Sequence, residues 1–240
     1  MAELIVLRAG DGELVTDRPE RTLRILTDHE LLNLTWFRYE PGQEGPDPHV
    51  HYTHSDAFYV LEGELELRLG PAVESVAAPA GTLGAAPPNL VHTFRNSSEA
   101  TAIFINVHAP GAGFADMMRA RRDGRDEEAD RFDQHDPPAD GGRPLADALV
   151  TTPGESEARD PDGHFSVAEE EVAPGYRQSF VSFDPPPLTA LFVAEGTIEL
   201  VVDGSETELR MGDFALVPPG VAHALGNPSA TPSRCLMFTV

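Results

Sequence analysis

The chain has 240 residues, with 40 acidic side chains against 17 basic ones, all of them Arg, for a formal net charge of −23. Such a surface repels phosphate backbones and anionic lipid, so neither nucleic acid nor a membrane is an expected partner. The absence of Lys removes Schiff-base chemistry, a Lys base and a P-loop, and the lone Cys235 excludes an intramolecular disulfide or a Cys-rich zinc site.

The apolar stretch from Leu4 to Leu7 is too short for a signal peptide or a membrane span, which makes a soluble cytoplasmic protein the expectation. Twenty-two Pro and 21 Gly imply many turns and short strands rather than a helical bundle. His49-Val50-His51 has i, i+2 spacing, which on a strand puts both imidazoles on one face. Asp56 follows after a loop of Tyr52, Thr53, His54 and Ser55, and His54 has the opposite parity to His51. Phe58 shares the face of Asp56. The run from Phe58 to Leu61 is short and apolar, and Glu64 to Leu69 alternates like a half-buried strand. A Pro87-Pro88-Asn89 turn then introduces His92, whose face Phe94 shares, and Ala102 to Val107 is again a short apolar strand. Three imidazoles and one carboxylate converging inside a barrel make a divalent-metal site: His49, His51, Asp56 and His92.

The stretch from Ala109 to Leu149 differs in character. Phe114, Met117 and Met118 have helical spacing, with the Met pair expected to pack on a barrel, and Pro137-Pro138 and Gly141-Gly142 break the pattern. It reads as an inter-domain linker with one or two short helices, open to protease between roughly 123 and 142.

Beyond it the chain repeats. Pro41-Gly42 recurs as Pro174-Gly175, and residues 57–63 recur as 190–196, both at an offset of 133. Gly81, Pro87-Pro88, His92 and Asn96 recur as Gly212, Pro218-Pro219, His223 and Asn227 at an offset of 131, so two residues are lost in a turn near Pro71 or Asp203-Gly204. Ordered matches of this kind imply two copies of one fold. In the second copy His49, His51 and Asp56 fall on Ser182, Asp184 and Thr189, leaving His223 alone, so no metal is expected there. Cys235 is expected to be a small buried hydrophobe.

Gly45…His49-Val50-His51-x4-Asp56-x6-Gly63 resembles the first motif of the cupin superfamily, with Asp where the family usually has the longer Glu. Gly81-x5-Pro87-x-Asn89-x2-His92-x3-Asn96 resembles the second motif, and the copy from Gly212 to Asn227 matches it too. The resemblance implies an all-β bicupin of two jelly-roll barrels. The boundaries read as a barrel with a metal site over 1–110, a helical linker over 111–149, and a barrel with a degenerate site over 150–240. One divalent transition metal per chain is expected, Fe, Mn, Ni, Zn or Cu.

Phe58 and Phe94 are expected to line the pocket as apolar walls. With no Lys and few cations beside it, the pocket suits a small uncharged or aromatic molecule, the expected partner, with a homodimer left open. In cupins resembling this chain such a pocket goes with dioxygenation of an enol, phenol or diketone, as in a quercetinase. The alternatives are a non-enzymatic binding or sensing protein whose metal anchors a ligand, or a metal-dependent isomerase or hydrolase. No general base is identifiable.

Overall fold

Short Val-, Leu- and Phe-rich runs punctuated by Gly, Pro and Asn fold here as strands in two similar sets. The computed structural model describes residues 3–125, 129–178 and 186–240. Strands β1 (Ile5–Leu7), β2 (Glu13–Arg18), β3 (Arg21–His29) and β4 (Leu32–Tyr39) precede the histidine motif. The first copy continues with β5 (Ser55–Glu62), β6 (Glu64–Leu69), β7 (Glu74–Pro79), β8 (Leu83–Ala86), β9 (His92–Arg95) and β10 (Ala102–Ala109). Helix α1 (Phe114–Arg122), two 3-10 turns (Ala129–Phe132 and Leu145–Asp147) and β11 (Leu149–Val150) follow. The second copy has β12 (Glu157–Arg159), β13 (Ser166–Val172), β14 (Thr189–Glu195), β15 (Thr197–Val202), β16 (Ser205–Arg210), β17 (Phe214–Val217), β18 (His223–Gly226) and β19 (Ser233–Thr239).

Two compact units result, one of Gly12–Glu155 with Asp160–His164, the other of Met1–Asp11, Ser156–Arg159 and Phe165–Val240. The first holds a seven-stranded sheet in the order β11-β8-β5-β10-β4-β3-β2 and a three-stranded sheet β7-β6-β9. The second holds a six-stranded sheet in the order β1-β17-β14-β19-β13-β12 and a three-stranded sheet β16-β15-β18. β5, β6 and β14, β15 keep the offset of 133, and the strands from β7 and β16 onward keep 131. The lost pair lies in the intervening hairpin. Residues 70–73 join β6 to β7, whereas Asp203-Gly204 alone join β15 to β16 with φ of 50° and 77°. Two left-handed residues match the twist of a two-residue hairpin, and Asp-Gly adopts them readily. Even the irregularities repeat: Leu61 and Ala194 are both the extra residue of a bulge opposite the last strand of their copy.

The interiors differ. The first unit centres on aromatic rings, with Phe37 stacked on Phe104 at 4.9 Å and Phe58 against Phe94 at 4.7 Å. The second unit holds an aliphatic cluster that includes Leu191, Ile198, Leu200, Leu209 and Cys235, while its buried Phe165, Phe192, Phe214 and Phe238 lie outside that cluster. Cys235 is buried, and burial pushes its thiol pKa up to about 12, so it behaves as a small hydrophobe.

Two allocations differ from the sequence expectation. β1 does not join the first barrel: it pairs antiparallel with β17, Ile5 opposite Leu216 and Leu7 opposite Phe214. Three residues carry no periodicity of their own, so only the free sheet edge decides where they add. The segment 111–149 is not a free tether either. Met117, Met118 and Phe132 are buried in the first unit's core, with Leu145 and Ala148 packed on it. The Met pair is a packing face as expected, but the barrel it serves absorbs the whole segment. No helix among the described residues is long and apolar enough to cross a membrane.

The repeated Asn has a structural task in both units. Asn96 Nδ2 donates to the carbonyls of Tyr39 (3.0 Å) and Ala100 (2.8 Å), while its Oδ1 accepts from Ser98 N and Oγ. Asn227 makes the same four bonds, to Val172, Thr231 and Ser229. Each amide is buried and satisfied, so its removal strands backbone carbonyls. Asn96→Ala and Asn227→Ala should each cost about 1–3 kcal/mol in urea unfolding, with Ser98→Ala milder.

Candidate metal centre

The two histidine motifs meet through the backbone. His49 N donates to His92 O at 3.1 Å and His92 N returns the bond to His49 O at 3.0 Å. Asn89 N donates to His51 O at 2.6 Å, which seats the Pro-Pro-Asn turn against the first motif. Gly45 lies so close to β9 that a Cβ there would sit 2.5 Å from the Phe94 carbonyl, so only Gly fits at this motif position. β5 then carries Asp56 inward, directly opposite His108 of β10.

His49, His51, Asp56 and His92 come together, all buried, with one ligand atom from each lying within 4.8 Å of the others. Asp56 Oδ2 is 3.1 Å from His92 Nε2 and 3.7 Å from His51 Nε2. The shorter acid reaches the cluster because Asn106 Nδ2 donates to Asp56 Oδ1 and to the Ala57 carbonyl, fixing the carboxylate. Each of the three imidazoles has its Nδ1 on a backbone carbonyl: His49 on Asp47 (2.8 Å), His51 on Asp133 (2.6 Å) and His92 on Leu90 (2.9 Å). A carbonyl only accepts, so each Nδ1 carries the proton and each Nε2 of a neutral ring presents a lone pair. His51 Nε2 is buried without a partner. Three lone pairs facing one carboxylate repel unless a cation lies among them. This donor set of imidazole nitrogens and carboxylate oxygen fits a divalent transition metal.

Burial, then the charges of His92 and His51, depress the His49 pKa to about 2. Burial pushes the Asp56 pKa up, but His108, His51 and His92 together outweigh it and keep the carboxyl well below its usual range. Burial also holds His108 well below the usual imidazole range, against the pull of Asp56.

Residues not expected from the sequence complete the centre. Asn106 and His108 alternate with apolar neighbours on β10, facing inward beside Phe104; that alternation was the available signal. His108 Nε2 is 3.6 Å from Asp56 Oδ2, and Phe114 stacks on its ring at 3.7 Å. His54 is buried too, its ring 4.0 Å from that of His51, because residues 52–54 form a bend in which strand parity fails. His51, His54 and His108 form a second group with metal-ligand spacing. Asp133 holds this bend. Its carboxylate accepts from Tyr52 N, Thr53 N, Thr53 Oγ1 and His54 Nδ1 at 2.6–3.0 Å. Burial opposes the ionised Asp133, but these donors prevail and hold its pKa well below the ordinary value. The neighbouring His135 pairs with Val50 through both backbone bonds, so the supposed linker is built into the metal motif.

A cavity of about 360 Å³ leads to His49, His51, Asp56 and His108. Phe94 lines it as expected. Phe58 is not in the wall: it lies behind Phe94 in the core, since alternation gives a residue's face but not its depth. The expectation of few cations also fails, because Arg18, Arg21, Arg121 and Arg122 line the cavity. In the second unit His223 is buried with Nδ1 donating to the Val221 carbonyl at 3.3 Å, and burial lowers its pKa. Thr189 is also buried there, and Ser182 and Asp184 lie outside the described residues.

The cupin domain family model matches residues 35–108 and again 168–239. Among solved structures, the bacterial pirin YhhW of Escherichia coli in complex with nickel(II) is 13% identical, with a TM-score of 0.68 and 99% of both chains covered. Oxalate decarboxylase OxdC of Bacillus subtilis is 16% identical with a TM-score of 0.65, over 98% of this chain and 76% of that one. A putative glyoxylate-induced protein of Pseudomonas aeruginosa is 18% identical with a TM-score of 0.66, over 98% and 88%. No curated protein matches in sequence.

Two outcomes follow. With metal removed by chelator, the folded state binds fewer protons at His49 than the unfolded chain between pH 6.5 and about 2. Stability should therefore fall as pH drops below 6.5, by ~1.4 kcal/mol per pH unit for that residue, and His49→Gln should flatten the slope in pH-dependent denaturant melts. Asp133→Ala should weaken metal affinity about 10–100-fold while leaving the cavity's other walls in place, as read by competition with a chromogenic chelator.

Proposed function

Because the chain belongs to the cupin family, with a cupin domain in each half, we propose that its N-terminal domain is a metal-dependent dioxygenase for a small aromatic or enolisable compound. The ion rests on His49, His51, Asp56 and His92. The observation that carries this reading is the set of three Nε2 lone pairs and one ionised carboxylate at the buried end of a cavity of ligand size. When bound there, a divalent transition ion supplies Lewis acidity and redox reactivity towards dioxygen. Neighbouring folds support a metal role, since the pirin was solved with nickel(II) and the Bacillus decarboxylase is described with Mn(II) centres.

The chain's own groups divide the remaining work. The carbonyls of Asp47, Leu90 and Asp133 hold the three rings in one tautomer, and Asn106 holds the acid. Phe94, Phe114 and Met117 wall the cavity and limit water beside the histidines. His108 lines the cavity with its Nε2 3.6 Å from Asp56 Oδ2, and that carboxylate pulls against the burial that opposes its charge, so it is the side chain placed to take the proton of an enol or phenol.

Elemental analysis should give about one metal ion per chain, lost in His49→Ala and His92→Ala but kept in His223→Ala. Two equivalents, or retention in the first two variants, contradicts the assignment. An oxygen electrode should then show uptake with some member of a panel of flavonols, diketones and catechols, abolished in His92→Ala. Tight binding without uptake or any other turnover would make the protein a metal-anchored binding module instead.

A further inference from the structure

The cavity's arginines are unevenly satisfied. On α1, Arg119 reaches Glu13, Asp28 and Asp116, and Arg122 reaches Glu13 and Asp123. Arg121, between them, reaches the Gln134 amide oxygen at 3.4 Å and no other side chain among the described residues. Arg21, at the start of β3, stands opposite Tyr39 in the strand pairing, and both line the cavity. Neither Arg21 nor Arg121 pairs with a carboxylate among the described residues, in a chain with 40 acids to 17 bases. Asp17 lies on the same cavity wall, but the bond it makes there is to Thr22 Oγ1 at 3.4 Å. Partial burial of the Arg121 guanidinium, and after it the charge of Arg21, lower the Arg121 pKa. Burial raises the Tyr39 pKa against both cations, so its hydroxyl keeps a proton to donate.

Their distance from the histidines can be read from α1. Phe114 covers His108, and Arg121 is seven residues on, two turns along the same face, or about 10 Å at ~1.5 Å per residue. Met117 and Met118 lie between them and also line the cavity. The sheet gives the same polarity. Tyr39 stands opposite both Arg21 and Ala102, whereas His108 at the far end of β10 stands opposite Asn33. The cavity thus has an electron-rich end at the histidines and the Asp56 carboxylate and a cationic end at Arg21 and Arg121 beside Tyr39, with an apolar span between.

We propose that Arg21 and Arg121, with the Tyr39 hydroxyl, bind a carboxylate on the substrate, which makes the substrate an organic acid with a rigid apolar body about 10 Å long. A guanidinium fork matches a carboxylate in plane and charge, and an anion there relieves the repulsion between the two arginines. A two-carbon diacid is too short to touch both ends. The inference rests on the reading of this cavity as the substrate site and replaces an uncharged substrate with an anionic one.

The probe is caffeate, whose catechol and carboxylate sit at opposite ends of a flat body, compared with its uncharged methyl ester. Calorimetric titration of metal-loaded protein under argon should show caffeate binding at least about tenfold tighter than the ester. Arg121→Gln and Arg21→Gln should each remove most of that preference while leaving ester affinity unchanged. Arg159→Gln, an exposed cation in the other unit, should preserve it. Arg121 is on an exposed part of α1, so its variant keeps the test available if Arg21→Gln folds poorly. Equal affinity for acid and ester, or a preference that survives both substitutions, overturns the proposal. Binding under argon needs no turnover, so a carboxylate preference without oxygen uptake defeats the dioxygenase reading alone, and uptake without the preference defeats this one alone.

Discussion

A backbone carbonyl accepts hydrogen bonds and never donates them, and in this protein that asymmetry fixes the state of three histidines. Each Nδ1–H is spent on a carbonyl, so each Nε2 points its lone pair at Asp56. Two of those carbonyls, of Asp47 and Leu90, stand two residues before the ring they orient, so the local chain sets the tautomer. The third belongs to Asp133, about eighty residues beyond His51. The centre is therefore completed only when that segment docks.

The same scaffold carries two different interiors. Bulges at Leu61 and Ala194, the Asn-x-Ser turns and the histidine that opens β9 and β18 recur at matching places. Backbone geometry was thus kept in both copies while the inward-facing side chains diverged. Aromatic rings and a cavity occupy one barrel, and the other holds a cluster of Leu, Ile and Val. Fold and chemistry separate cleanly here, since the sheet supplies positions and the inward residues decide whether anything can enter.

Much of this was legible from residues alone, for identifiable reasons. The repeat, the strand positions and the convergence of His49, His51, Asp56 and His92 all follow from spacing, and the backbone realises that spacing directly. Asn106 and His108 were legible in principle, as polar residues alternating inward on an otherwise apolar strand. Asp133, Arg21 and Arg121 were not, because nothing near them in the chain marks them; their place depends on which surface a docking segment meets. Phe58 shows a limit of another kind, since period-two alternation assigned its face correctly but could not say that Phe94 stands in front of it. His54 shows where parity stops applying, at a bend held by a side chain from elsewhere.

The placement of β1 bears on how the protein is made. Ribosomal synthesis delivers Ile5–Leu7 ahead of the first unit, yet its partner β17 emerges only after the whole of that unit. The nascent strand must therefore wait, unpaired, while about 200 residues pass, a long-range closure of the kind that slows folding. Until it arrives, β17 forms an open sheet edge able to recruit a strand from another chain. Removing Ile5–Leu7 would consequently leave the metal-bearing unit whole while exposing a sticky edge on the unit translated after it.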